Sequence, residues 1–263
     1  MCRDAALEER AVLVTTRPLL SGLGELTFEA PRLAALVRPG QFLMARITPW
    51  RDPLLGRPLG VTAVRGERIA LMVAAMGRGS RALLALRPGD EVVFRGPLGR
   101  PFPEPLRTPL VLAGGGFGVA PLLFAWDRWG AESKEAPTVA LGVPDASWEP
   151  VERYVAQRVG EKLRTFSDDG SLGEHGTPCD ALEGAGEIWA CGPPAMIRGL
   201  VRCLSPEVRL LVNLDRRMGC GFGGCLGCTV PTVRGNARAC VDGPFFDARD
   251  VDWKALEELE GRS

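Results

Sequence analysis

The sequence predicts an α/β plus β fold in three parts: an N-terminal antiparallel β-barrel, a central parallel α/β domain and a small cysteine-rich C-terminal subdomain. Three observations carry this expectation. From about Leu13 to Leu98, short segments of β character alternate with Gly and Pro punctuation, the pattern of a small barrel. Beyond a proline-rich connection, apolar strands alternate with helical stretches, which calls for a parallel sheet with crossover helices. From Gly219 glycine and cysteine dominate, and such a segment needs a staple to be ordered. A chain of 263 residues accommodates two ordinary domains and an appendage, placed at 1–103, 104–214 and 215–263.

The barrel segments are AVLVTT, GELTFEA, GQFLMARI, GVTAV, RIALMVAA and DEVVFRG. In RIALMVAA, Ile69, Leu71 and Val73 alternate with Ala70, Met72 and Ala74, so both faces are apolar and one is available to a ligand. A helix is expected over residues 81–86. The stretch RPFPEPLRTP holds four prolines and reads as an extended connection. After it come the strand LVLAG, a glycine turn and a helix over 121–129. Further strands are TVALGV, KLRTFS, EIWACG and VRLLVNL, with helices over 149–159 and 194–204.

Lys plus Arg equals Asp plus Glu at 32 each, so nothing in the charge balance points to nucleic acid or an anionic membrane surface. The start, MCRDAALEER, carries charges where a secretory signal needs an apolar run, and no apolar stretch approaches the roughly 20 residues of a membrane span. The expected compartment is the cytoplasm, where the eight cysteines stay reduced. With one histidine, His175, and one tyrosine, Tyr154, acid–base catalysis is poorly supplied, and redox chemistry carried by cofactors fits better.

Half of the cysteines lie between positions 220 and 240. Cys220, four residues, Cys225, two residues, Cys228 and, eleven residues later, Cys240 is a plant-type ferredoxin-like spacing for a [2Fe–2S] cluster. Four thiolates supply soft anionic donors, and Gly219, Gly221, Gly223, Gly224 and Gly227 let backbone amides turn toward the sulfurs. A zinc ribbon is the alternative, although it ordinarily pairs two CxxC knuckles and only one is present. Cys2, Cys179, Cys191 and Cys203 lack comparable spacing and read as ordinary thiols.

Gly114, Gly115, Gly116 and Gly118 lie between a strand and a helix, where small residues let a pyrophosphate approach backbone amides; a plain tight connection is the alternative. Cys191, Gly192 and Pro193 end a later strand, where an open α/β sheet puts ligands, or simply form a turn. In the barrel, Arg57-Pro58-Leu59-Gly60 joins a cation suited to phosphate to a rigid backbone, a combination that by itself carries no assignment. Gly79 and Ser80 offer an amide and a hydroxyl before a helix, suited to a phosphate or to a helix cap.

Taken in order, GQF, RPLG, GRGS, GPLG, GGGFGVAPL, CGP and the cysteine run followed by CVDGPFFDARDVDW resemble the electron-transfer subunits of class 1B dihydroorotate dehydrogenase, in the ferredoxin reductase-like superfamily. The resemblance spans nearly the whole chain. It implies FAD on the barrel at Arg57, Pro58, Leu59, Gly60, the backbone of Met72, Val73 and Ala74, and Gly79 with Ser80. NAD falls on the glycine turn and Cys191-Gly192-Pro193, and [2Fe–2S] on Cys220, Cys225, Cys228 and Cys240. The chain departs from the family pattern at Gly60, where serine is usual, at Val73-Ala74, where Tyr-Arg is often found, and at Ser80 for threonine, leaving Arg78 or Arg81 as sources of charge. The resemblance further implies an FMN-containing catalytic partner in a heterotetramer, with electrons passing through the cluster and FAD to NAD+ in pyrimidine biosynthesis. No side chain is expected to act as catalytic acid, base or nucleophile. Asp145 is a candidate ribose ligand or an ordinary turn residue, and Phe222 and Leu226 a candidate docking face. Small subunits of ferredoxin:NADP oxidoreductase and sulfide dehydrogenase complexes look similar. A zinc-stapled nucleotide-binding regulator is the non-enzymatic alternative.

Overall fold

The structure, a computed structural model, describes residues 6–47, 54–130, 136–205 and 207–260, so Cys2 and the outermost residues of the first and last expected parts lie outside the described residues. Strands β1 (Leu7–Leu20), β2 (Leu23–Glu29), β3 (Phe42–Ile47), β4 (Arg57–Arg65), β5 (Arg68–Ala74) and β6 (Glu91–Leu98) close an antiparallel barrel in the order β1-β2-β5-β4-β3-β6. Their inward residues are apolar; Phe28 and Phe94 meet edge to face at 5.0 Å in the centre. Helix α1 (Pro31–Leu36) was not anticipated, since six residues show no periodicity, yet Pro31 stands at its start and Leu33 is fully buried. The buried Glu9 carboxylate accepts from the Arg32 and Leu33 amides at 3.1 and 2.8 Å, satisfying donors that a helix start leaves free. Helix α2 (Arg78–Leu84) begins three residues earlier than expected.

The second half contributes β7 (Leu110–Gly115), α3 (Ala120–Trp129), β8 (Thr138–Val143), α4 (Glu149–Val159), β9 (Leu163–Ser167), β10 (Glu174–His175), β11 (Glu187–Cys191), α5 (Pro194–Cys203) and β12 (Arg209–Asn213). The C-terminal segment adds a hairpin of β13 (Thr229–Thr232) and β14 (Gly235–Arg238), then α6 (Ala239–Asp242), β15 (Phe245–Asp247) and α7 (Trp253–Glu260). The sheet runs β10-β9-β8-β7-β11-β12-β15; every pairing is parallel except β12 with β15. As the sheet's edge strand, β15 ties the C-terminal segment to the α/β part. One apolar core holds Phe42, Met44 and Leu98 of the barrel, Ile188 and Val212 of the sheet, and Cys228, Val230, Cys240 and Phe246 beyond them.

The proline-rich connection is anchored along its length. Phe102 stacks on Trp189 at 4.3 Å and meets Phe245 at 4.1 Å. The fully buried Glu187 carboxylate accepts from the Leu106 amide at 2.8 Å, the Arg107 amide at 3.2 Å, the Trp189 indole at 2.7 Å and Arg209 at 2.5 Å. Helix α4 fastens the barrel to the sheet. Its Tyr154 donates to the buried Glu25, and Arg158 pairs with Asp127 while donating to the Thr62 carbonyl at 2.9 Å.

Candidate functional site

The eleven-residue gap before the last cysteine is a hairpin. Thr229 pairs with Arg238 and the Ala239 amide donates to the Cys228 carbonyl at 2.9 Å, so Cys228 and Cys240 flank the open end of β13–β14. Their sulfurs lie 3.2 Å apart, buried. Cys220 and Cys225 form a second pair, and the Cys220 sulfur accepts from the Gly224 and Cys225 amides at 3.2 and 3.4 Å. Burial raises the Cys220 thiol, but the backbone donors of Cys225, Phe222 and Gly224 and the Cys225 side chain outweigh it and bring it down to about 6. Cys240 is pushed up to about 12 by burial and by the Cys228 contact, with the Cys220 charge adding to the effect. The pairs are therefore electrostatic neighbours. Two thiol pairs, Cys220 with Cys225 and Cys228 with Cys240, suit a two-iron cluster.

The glycines of this loop have geometric reasons. Gly221 has φ +77°, and a Cβ there would sit 2.6 Å from Met44 of the barrel; Gly223 has φ +89°, and its Cβ would meet Val241 at 2.7 Å. Leu226 adopts φ +59° without being glycine and leaves its side chain exposed. Beside Cys220 a cavity of about 170 Å³ is lined by Phe222, Met44, Leu54, Leu55 and Arg95. The sequence reading identified Phe222 and Leu226 but not Leu54, Leu55 and Arg95, which the barrel brings alongside. The Arg95 guanidinium carbon stands 5.4 Å from the Phe222 ring centroid, a contact that no sequence spacing could reveal.

At the sheet, Gly114 and Cys191 are register partners, so the glycine turn and the Cys191-Gly192-Pro193 segment lie side by side at the carboxyl ends of β7 and β11. The chain winds away in opposite directions from β7, which makes this the switch crevice where open sheets bind ligands. Much of the room left by the glycines is taken by the protein itself: a Cβ on Gly118 would lie 2.3 Å from the Cys191 carbonyl, and one on Gly115 would lie 2.6 Å from Pro193. These two glycines serve close packing of the turns, and the nucleotide reading rests on the crevice that results. Burial, assisted by the Asp215 charge, pushes the Cys191 thiol far up. Asp145 accepts from the Ser147 amide at 2.8 Å and acts as a turn cap.

On the barrel, β4 and β5 bring RPLG to GRGS. The Arg57 guanidinium lies over Gly79, where a Cβ would sit 2.0 Å from its Nε, and Arg57 also donates to the Leu55 carbonyl at 2.7 Å. This cation beside the first turn of α2 fits a diphosphate group. The Ser80 hydroxyl accepts from the Gly77 amide at 3.0 Å and donates to its carbonyl at 3.1 Å. Gly60 faces Pro121 at the junction with α3, with the ring Cβ 3.5 Å from the Cβ position, ordinary contact distance. Met72 packs with Leu23 and Val119 while Val73 packs into the barrel, so their side chains are buried by protein; Leu59, Pro58 and Ala74 are half-buried. The Met72 amide donates to the buried Thr62 hydroxyl at 3.0 Å.

A family model described as the iron-sulfur cluster binding domain of dihydroorotate dehydrogenase B matches residues 215–252. A dihydroorotate dehydrogenase B (NAD(+)) electron transfer subunit from Desulforamulus reducens is 35% identical over 243 residues, covering 87% of this chain and 92% of the relative. The corresponding subunit from Bacillus caldolyticus is 32% identical over 256 residues, 92% of this chain and 98% of the relative. Among solved structures, an NADH-dependent reduced ferredoxin-NADP oxidoreductase superposes with TM-score 0.78 at 25% identity, covering 100% of this chain and 95% of the other. Phthalate dioxygenase reductase shares the fold, with TM-score 0.63 at 15% identity over 88% of this chain and 87% of the other. With a cysteine hairpin inside the matched segment and relatives aligned along nearly their full length, the chain belongs to the dihydroorotate dehydrogenase B (NAD(+)) electron transfer subunit family.

Proposed function

We propose that this chain is the electron-transfer subunit of dihydroorotate dehydrogenase B, an FAD- and [2Fe–2S]-containing, NAD-linked oxidoreductase subunit of pyrimidine biosynthesis. The observation that carries the reading is the hairpin-paired thiol set at positions 220–240, within the matched iron–sulfur segment and joined to a reductase-like barrel and sheet. When bound, the cluster relays single electrons and the flavin exchanges them in pairs with a nicotinamide. The chain's own residues bind and orient. Cys220, Cys225, Cys228 and Cys240 hold the irons; Arg57 and the Gly79 amide hold the flavin diphosphate; the crevice between Gly114–Gly118 and Cys191–Pro193 receives NAD. No side chain moves a proton in this scheme. The division into 1–103, 104–214 and 215–263 follows these three tasks.

Relatives named as a subunit imply a catalytic partner. We assign that partner as FMN-containing, the assembly as a heterotetramer and the compartment as the cytoplasm. Among the described residues no helix is long and apolar enough to cross a membrane. Phe222 and Leu226, 55% and 61% exposed beside the sulfurs, form the docking face together with Leu54 and Leu55. Co-expression with the FMN-containing catalytic subunit tests the reading: the two should co-elute with iron and FAD and reduce NAD+ with dihydroorotate. Absence of FAD and iron from the purified complex overturns it. The full-length likeness to the ferredoxin-NADP oxidoreductase structure favours a second reading, a small FAD and [2Fe–2S] subunit of such a complex or of a sulfide dehydrogenase. Recovery of that partner, with no dihydroorotate activity, selects it.

A further inference from the structure

Two cysteines outside the cluster set, far apart in sequence, meet in the fold. The Sγ atoms of Cys179 and Cys203 lie 3.0 Å apart. Cys179 stands in the short 3-10 turn Pro178–Ala181 that precedes β11, and Cys203 is the last residue of α5. The Cys179 sulfur lies against α5, 4.0 Å from the Cβ position of Gly199, one helical turn before Cys203. Cys203 is exposed and Cys179 half-buried. Closing a disulfide requires the sulfurs to approach by about 1 Å, a side-chain adjustment rather than a refolding.

We propose that Cys179 and Cys203 form a thiol–disulfide exchange site for low-molecular-weight disulfides, of which glutathione disulfide is the probe. The exposed Cys203 attacks one sulfur of the small disulfide. A mixed disulfide on Cys203 forms and one small thiol leaves. Cys179 then attacks the Cys203 sulfur, the Cys179–Cys203 bond forms, and the second small thiol leaves. The protein loses two electrons, the small disulfide gains them, and the two protein thiol protons end on the two released thiols. Burial, followed by the Cys203 contact, pushes the Cys179 thiol up to about 11, which leaves the first attack to the exposed partner. The closed loop contains β11 and Cys191-Gly192-Pro193, while the near end of α5 touches the glycine turn through Met196, 2.7 Å from the Cβ position of Gly115. The disulfide thus pins the far end of the helix that borders the crevice.

The test uses the complex with its cofactors bound, treated anaerobically with glutathione disulfide, alkylated and mapped by mass spectrometry. The expected product is a Cys179–Cys203 cross-link exceeding the mixed disulfide by roughly tenfold or more, since the second step is intramolecular. It should be reversed by dithiothreitol, with the visible absorbance of the cluster unchanged. Cys179→Ser should trap glutathione on Cys203, and Cys203→Ser should abolish the cross-link. Free alkylation of both thiols in the wild-type protein, or a mixed disulfide that persists on Cys203 with Cys179 still reduced, overturns the proposal.

Discussion

At the scale of single residues, chemistry and sterics each assign roles. Arg57 occupies the space above Gly79 that any side chain would claim, so Gly79→Ala must displace the guanidinium. The variant should fold but retain FAD roughly tenfold less tightly, about 1.4 kcal/mol, as measured by the flavin-to-protein ratio on dilution. Cys225 is exposed, unlike the buried Cys228 and Cys240, so its sulfur can be exchanged without opening the core. Cys225→Ser should lose the cluster's visible absorbance and iron while NADH still reduces the flavin; retention of two irons per chain would contradict its place as ligand. The cysteine spacing marked Cys220, Cys225, Cys228 and Cys240 as candidates in the sequence. The Cys179–Cys203 contact was not legible, because the two belong to different elements whose approach only packing sets.

At the scale of elements, the cysteine loop and the β13–β14 hairpin behave as one unit: the hairpin register joins one sulfur pair, and loop amides surround the other. Its exposed apolar tip should carry partner affinity, because interface energy concentrates in a few apolar anchors. Phe222→Asp or Leu226→Glu should weaken binding of the catalytic subunit by at least about tenfold, with cofactor content unchanged, as measured by titration calorimetry. Strand β11 is held differently. The Glu187 carboxylate has no solvent and four donors, two of them amides of the proline-rich connection. Glu187→Ala strands those amides and the Trp189 indole and leaves Arg209 to Asp247, and should cost about 3 kcal/mol of unfolding free energy in urea. Strands of the barrel and the sheet were readable from β-rich segments between Gly and Pro. Helix α1, strands β10 and β15 and helix α6 were not, since pieces of two to six residues carry no period and exist because their neighbours pair with or bury them.

At the scale of the whole molecule, the barrel, sheet and cluster segment share surfaces rather than hanging on linkers. Tyr154 holds the buried Glu25 across the junction of α4 with the barrel, and burial together with that carboxylate pushes its hydroxyl above the usual phenol range. Tyr154→Phe leaves Glu25 without this donor and should lower stability by about 1–3 kcal/mol, read from the denaturation midpoint. The sequence by itself determined the order of the longer strands and helices, the candidate ligand cysteines and the family, because periodicity, punctuation and motif spacing are local along the chain. It also marked RPLG with GRGS, and the glycine turn with Cys191-Gly192-Pro193, as separate candidates. Only the tertiary structure decided that each pair meets, that β15 stitches the cluster segment into the sheet, and that the barrel supplies Leu54, Leu55 and Arg95 beside Cys220. Strand register and shared apolar burial set those contacts, and both depend on residues far apart in the chain.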